Sequence, residues 1–253
     1  MIDYKSKFSL KINNDSKWLM LENLYNNNIL NKTEKVDVIP KIIHQIWLGS
    51  PFPETSLSLT NKMLKLNPNY KYKLWTDLDV ENFGLKNKEL YNNISNLGAK
   101  SDILRYEILE REGGIYIDTD FECVKSFDEL LHLDFFAANG HVDNPEVINS
   151  VIGCIPNNKV IKSFVSNLQK IKTFDDSING VMYYTGPYFI TKLIYDILNE
   201  DDNIVIFPTK YFLPFPAVHR QLVKNYNKIA EDFVKSFISE DTIAIHLWQT
   251  SWQ

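Results

Sequence analysis

Cysteine is scarce in this chain: among 253 residues only Cys123 and Cys154 occur. Two thiols cannot build a disulfide framework, and they lack the paired spacing of a zinc site, so they read as ordinary buried thiols of a reducing compartment. Long apolar runs are missing too. No stretch reaches the ~18 uninterrupted apolar residues of a bilayer crossing, and Met1 to Lys7 is broken by charges where a secretory signal would need an apolar segment. Net positive charge is also lacking. With 27 basic and 32 acidic side chains the balance is -5, a field that does not attract a polyanion and argues against nucleic acid as a partner. There is no internal repeat, low-complexity tract or linker. These absences lead to the expectation of a cytoplasmic protein, free or peripheral at the inner face of a membrane; oligomeric state is left open.

What is present looks globular: 44% hydrophobic and 23% charged residues, in a chain long enough to bury roughly 73% of its unfolded surface. Residues 1–37 form a polar, Asn-rich lead-in in which Trp18, Leu21, Leu24 and Tyr25 recur at helical spacing, predicting a helix packed on the main body. Its polar face lacks the basic residues of a membrane-surface helix. Residues 38–49 then read as a buried strand opening into a loop at Gly49, Pro51 and Pro53. The pattern continues with a helix over 54–66, a half-buried strand at 70–74, a helix capped by Thr76 or Asp77 and running to Phe83, and a helix over 88–96. A helix over 99–111 stops at Gly113 and Gly114, and a strand follows at 115–117. Apolar runs at 135–138 and 147–155, a helix over 159–172, a helix from Pro187 towards Leu198, a strand at 204–207, a helix over 221–237 and a strand at 242–248 complete the chain. Strands separated by helices predict one α/β domain over 38–253 behind the 1–37 extension, with ligands bound beyond the carboxyl ends of the strands.

The chemistry concentrates after the third strand. In Asp118-Thr119-Asp120, side chains two apart on extended backbone point the same way, so two carboxylates can meet one hard divalent cation such as Mg²⁺ or Mn²⁺. The bare pattern is weak: with 18 aspartates, about one Asp-x-Asp is expected by chance, and Asp77-Leu78-Asp79 is a second copy. Context separates them. The second copy opens a helix, where acids suit the dipole, whereas Asp118 follows a strand with no helix to cap. Asp102 and Arg105 lie one helical turn apart, as a plain surface ion pair or as a pair that contacts sugar hydroxyls and phosphate. Trp47 is either a core tryptophan or a face for a planar base. His44 reads as a buried, hydrogen-bonded histidine, and His246, flanked by Ile245 and Leu247, reads the same way when taken alone.

Taken together, 39–49 (Ile39 to Gly49), Ser101-Asp102-Ile103-Leu104-Arg105, Gly113-Gly114-Ile115-Tyr116-Ile117-Asp118-Thr119-Asp120, Thr185-Gly186-Pro187 and His246 through Trp252 resemble glycosyltransferase family 32, the group with a DXD-containing sugar-binding region. The resemblance runs from about residue 38 to the end and extends more distantly to clostridial glucosylating toxins. It implies a glycosyltransferase-A fold with a mixed central sheet, a nucleotide-sugar donor, Mn²⁺ or Mg²⁺, and transfer with retention. Carried over, Trp47 lies against the base with Leu97 and Ser101 beside it. Asp102 and Arg105 contact the donor sugar and nucleotide, Tyr116 lines the site, Asp118 holds ribose or a metal-bound water, and Asp120 ligates metal. His246 adds a metal or phosphate contact, and Trp248 belongs to a segment folding over the diphosphate. A UDP-sugar is favoured over a GDP-sugar. The acceptor is expected to be a glycan or glycolipid, a bacterial surface-glycan intermediate before a protein hydroxyl. Asn139, His141, Asp143, Asn149 and Gly186-Pro187 are candidate acceptor-side walls or simply turns. A phosphatase using an Asp nucleophile fits less well, because Asp118 lies far into the chain, and a sugar-binding relative without turnover is the remaining alternative.

Overall fold

The computed structural model describes residues 16–140, 146–224 and 227–249. Strand β1 (Ile42–Ile46) leads into α2 (Glu54–Leu66), which follows the N-terminal α1 (Ser16–Tyr25), and then into β2 (Lys71–Trp75). Helices α3 (Asp77–Phe83), α4 (Lys88–Asn93) and α5 (Leu97–Glu112) precede β3 (Gly114–Ile117) and the short β4 (Phe121–Cys123). Next come β5 (Phe135–Asn139), β6 (Val147–Cys154), α6 (Lys159–Leu168), α7 (Ile178–Tyr184), α8 (Pro187–Ile197), β7 (Ile204–Phe207), α9 (Thr209–Phe212), α10 (Lys228–Lys235) and β8 (Ala244–His246). Among the described residues six strands form one mixed sheet in the order β2-β1-β3-β6-β5-β7, and β6 runs antiparallel to its neighbours. No helix of the described residues is long and apolar enough to cross a membrane.

The lead-in helix does what its spacing predicts: Trp18, Leu21, Leu24 and Tyr25 are all buried, and α1 packs against β7. Each such side chain contributes roughly 1.5–3 kcal/mol of burial. The apolar face is thus spent on the core. Helix α5 is covered on nearly every side, so its expected stripe of Ile103, Leu104, Ile108 and Leu109 is part of a wider buried surface that also takes in Asp102 and Arg105. It ends because Gly113 and Gly114 adopt φ of +64° and +90°. A Cβ on Gly114 would lie 2.7 Å from the Ile42 carbonyl oxygen, so β3 can enter the sheet beside β1 only through a glycine.

Three expectations change in detail. The helix foreseen over 221–237 is two pieces, a 3₁₀ segment at Ala217–Val223 and α10, because Asn227 turns its side chain to accept from the Ala230 N–H at 3.0 Å and starts a new helix. The last strand is confined to 244–246 and does not join the main sheet; it pairs antiparallel with β4. Helix α7, with Ser177 at its N-terminus, has no counterpart among the predicted elements. By contrast the Asp77 copy is the cap it was read as: Asp79 and Thr76 form a capping box, and Asp77 accepts from the Gly49 N–H at 2.9 Å.

His44 is fully buried in β1, its Nε2 3.0 Å from the Gly113 carbonyl and its Nδ1 accepting from Trp75 Nε1 at 3.2 Å. This fixes the neutral ring, since a proton on Nδ1 would face the indole N–H, and burial pushes the pKa down to about 4. The unfolded chain therefore binds more protons between the ordinary histidine value and about 4, and stability falls as pH drops through that window. Urea midpoints at pH 7 and pH 4.5 should show the wild type losing about 2 kcal/mol more than His44→Gln, whose amide can keep both hydrogen bonds. Parallel losses in the two proteins would contradict this assignment.

Candidate active site

The strand order reverses at β1: the chain leaves it towards β2 on one side, and β3 arrives on the other. Such a switch opens a crevice beyond the carboxyl ends of the two strands, where no connection fills the space. Trp47 follows β1 and Asp118 follows β3, so both fall at this crevice, which is a cleft of about 680 Å³. Trp47, Leu97, Ser101, Asp102, Arg105, Tyr116, Asp118, Asp120, His246 and Trp248 all line it. Asn149 and Pro187 line it as well, whereas Asn139 is sealed within β5 and Gly186 is buried and does not line the cleft. His141, Asp143 and Trp252 lie outside the described residues.

The acidic pair converges by a different route from the one its spacing suggested. β3 stops at Ile117, so Asp118 to Asp120 occupy a turn into β4 rather than an extended strand. What aims Asp120 is the partner strand: β4 and β8 pair with Phe121 opposite His246, which sets the imidazole beside the carboxylate, Nε2 to Oδ1 3.2 Å. Leu247 N–H donates to the Asp120 carbonyl at 3.0 Å and Gln249 N–H to its Oδ2 at 2.7 Å. Asp118 is reached from the other side, by the Tyr116 hydroxyl at 2.5 Å and by Arg105 Nη1 at 3.5 Å.

Enclosure by protein holds the Asp118 carboxyl above the usual range; Arg105 pulls it down while Asp120 pushes it up. Burial alone would lower the His246 pKa, but Asp120 and Asp118 outweigh it and hold the ring above the ordinary value. Ligand atoms of Asp118, Asp120 and His246 lie within 4.8 Å of one another. His246 Nδ1 is buried with no hydrogen-bond partner among the described residues, and its ring stacks on Phe121 at 4.6 Å and leans on Trp248 at 4.4 Å. Two carboxylates and an imidazole suit a divalent cation of the Mg²⁺ or Mn²⁺ class, and the residues present fit one.

Asp102 and Arg105 are no surface pair. Both are 5% exposed and 3.2 Å apart, and each is hydrogen-bonded to its neighbours. Asp102 accepts from Thr185 Oγ1 and Asn149 Nδ2, each at 2.8 Å, and burial still pushes it up to about 6 against the pull of Arg105. Arg105 donates to the Asn149 carbonyl at 2.5 Å and to Ser101 Oγ at 3.1 Å, and its guanidinium lies 4.3 Å from the centre of the Tyr116 ring. Asn149 and Thr185 are the residues whose part sequence reasoning missed. A signal existed in each case: an asparagine inside an apolar strand must find a partner, and Thr185 sits in the quoted Thr-Gly-Pro run. The stretch Leu213 to Val218, which also lines the cleft, offered none. Trp47 is half-buried, with Nε1 donating to Ser50 Oγ and the Pro51 carbonyl, both at 3.1 Å. Trp248 donates to the Phe215 carbonyl at 2.8 Å.

Residues 53–136 match the family model described as "glycosyltransferase sugar-binding region containing DXD motif". A protein of Acanthamoeba polyphaga mimivirus described as an uncharacterized glycosyltransferase is 33% identical over 193 residues, covering 70% of this chain and 74% of that protein. Inositol phosphoceramide mannosyltransferase 3 of Schizosaccharomyces pombe is 30% identical over 185 residues, covering 71% of this chain and 51% of its own length. The chain spans about half the length of two fission-yeast mannosyltransferases that it matches. Among solved structures, the PaToxG glycosyltransferase superposes with a TM-score of 0.52 at 21% identity, over 71% of this chain and 78% of that one, a likeness of fold.

The Asp102 cluster makes a prediction independent of any ligand. Thr185→Val keeps the shape but withdraws one donor from a buried carboxylate, and should cost about 1–3 kcal/mol at pH 8. Lost hydrogen bonding raises the Asp102 pKa further above about 6, so the penalty applies only where the carboxylate is charged and should largely vanish at pH 5. Denaturant midpoints at the two pH values measure it, and a pH-independent penalty would show that Asp102 is not the group affected.

Proposed function

The chain belongs to the glycosyltransferases whose sugar-binding region contains a DXD motif, and from that membership we propose that it transfers a hexose from a nucleotide-sugar donor to a hydroxyl of a glycan, glycolipid or protein acceptor. The observation that carries this reading is the meeting of Asp118, Asp120 and His246 at the crevice between β1 and β3, beside the buried Asp102–Arg105 pair. When bound, Mn²⁺ or Mg²⁺ supplies the positive charge that offsets a donor diphosphate on an acidic protein.

The chain's own residues have separable parts to play. Trp47 offers a half-buried aromatic face at the lip for the base. Arg105 supplies fixed positive charge 3.5 Å from Asp118, and Asp102, anchored by Thr185 and Asn149, still has lone pairs for a sugar hydroxyl. Trp248 screens His246 and narrows the cleft against water. Because the anchors of Asp102 commit it to holding rather than attacking, the reading favours retention by a front-face route in which the leaving phosphate assists the acceptor hydroxyl. A UDP-sugar is the donor proposed from the aromatic lip and the fold likeness to a UDP-bound toxin glycosyltransferase domain, whereas the names of the yeast relatives favour mannose as the sugar, with a GDP-sugar as the alternative donor, and a ceramide lipid as the acceptor. We therefore place a lipid-linked acceptor ahead of the bacterial surface glycan and the protein side chain.

Release of UDP or GDP from a panel of nucleotide sugars, with and without Mn²⁺, tests the proposal. Wild type should hydrolyse one donor slowly in a Mn²⁺-dependent manner, and Asp120→Asn should lose at least about 100-fold of that rate while its melting temperature no longer rises with Mn²⁺. Wild-type-like turnover in Asp120→Asn would sink the reading.

A further inference from the structure

Residues 216–230 carry Arg220, Lys224 and Lys228 and no acidic side chain, in a chain whose net charge is -5. Of its described residues, Val223 and Ala230 are buried against Leu59, Val234 and Leu247 in a second small core. Val218 is 83% exposed, Leu222 60% and Ile229 81%, three large aliphatic side chains held in water within twelve residues of sequence. Arg220 and Lys224 have no acidic partner among the described residues, and only Lys228 is paired, with Asp232 at 2.7 Å.

The patch is continuous with the candidate active site. Val218 lines the 680 Å³ cleft, while Arg220 and Lys224 line an adjoining cavity of about 300 Å³ that shares Trp47, Asp120 and Trp248 with it. Whatever covers the patch therefore also meets the mouth of the cleft.

We propose that this lip docks on an anionic phospholipid surface and so presents the cleft to an acceptor embedded there, a step that rests on the lipid-linked acceptor reading above. The chemistry selects that occupant. Aliphatic side chains flanked by basic ones match the acyl boundary and the phosphate level of a bilayer, and anionic lipid attracts them electrostatically. A second copy docked through this same face would offer as its α10 acids only Glu231 and Asp232, which are held by Lys62, Lys235 and Lys228. The N-terminal helix offers no competing surface, since its apolar face is buried.

Flotation of the full chain with vesicles of phosphatidylcholine alone, or with about 30% phosphatidylserine, tests this. Binding is expected only to the anionic vesicles, falling steeply in about 0.5 M NaCl. Leu222→Asp with Ile229→Asp, and separately Arg220→Gln with Lys224→Gln, should each lower partitioning at least about tenfold. Both sites are exposed, and unchanged melting curves will confirm folding. The Leu222/Ile229 variant should hydrolyse soluble donor at the wild-type rate. Equal recovery with neutral vesicles, no recovery with either, or variants that float like wild type would overturn the proposal, as would sedimentation showing a dimer that these substitutions dissolve. Absence of donor hydrolysis in wild type would instead remove the transferase reading and leave the vesicle result standing as a separate finding.

Discussion

The site depends on one antiparallel pairing far from the main sheet. Two strands of three residues each, β4 and β8, join the segment after the aspartate pair to a segment more than a hundred residues later, and their register puts His246 across from Phe121. Asp120 is then held at both its carbonyl and its carboxylate by the backbone of Leu247 and Gln249. A three-residue pairing is weak by itself. It persists because Ile245 and Leu247 are buried among Leu59, Phe215, Val223 and Val234, so a small second core stabilises the geometry of the ligand atoms. The clustering of like charges at Asp118 and Asp120 is costly in the absence of a cation, and this core is what keeps the two groups together.

The same trade appears at Asp102 and Arg105. A buried ion pair usually returns little net stability, because desolvation of both partners offsets most of their attraction. Here the charges are also supplied with hydrogen bonds from Ser101, Asn149 and Thr185, drawn from α5, β6 and the junction of α7 and α8. Apolar residues could fill that volume more cheaply. The pair instead locks three elements around a fixed carboxylate and a fixed guanidinium, which is the preorganisation that recognition of a sugar and a phosphate needs.

Much of this was legible in the sequence for identifiable reasons. Strand β1 and helix α5 announce themselves by apolar continuity and by their terminal glycines, and the lead-in helix by Trp18, Leu21, Leu24 and Tyr25 at regular spacing. Trp47, Asp118 and Trp248 line the cleft because they follow strands, where topology sends any ligand, and Leu97, Ser101, Asp102 and Arg105 reach it from α5. What stayed hidden is what depends on distant pairing. No local pattern says that residues 244–246 leave the main sheet to pair with β4, that Asn227 interrupts a helical run, or that Leu213 to Val218 closes one side of the cleft. Alternation correctly aligned Asp118 with Asp120 but for the wrong reason, since a turn and a partner strand do the aligning.

Trp248 shows how the pocket and the end of the chain constrain each other. Its backbone adopts φ of +57°, a left-handed conformation that a bulky residue enters at a cost of roughly 1–2 kcal/mol. Three contacts compensate: the indole N–H on the Phe215 carbonyl, the ring against His246, and the Gln249 N–H that the reversed backbone delivers to Asp120. An extended residue at 248 would continue β8 past Asp120 and carry Gln249 away from the carboxylate. The strain is therefore what turns the end of a strand into the wall of a binding site, and it is sustained only while Asp120, His246 and Phe215 keep their places.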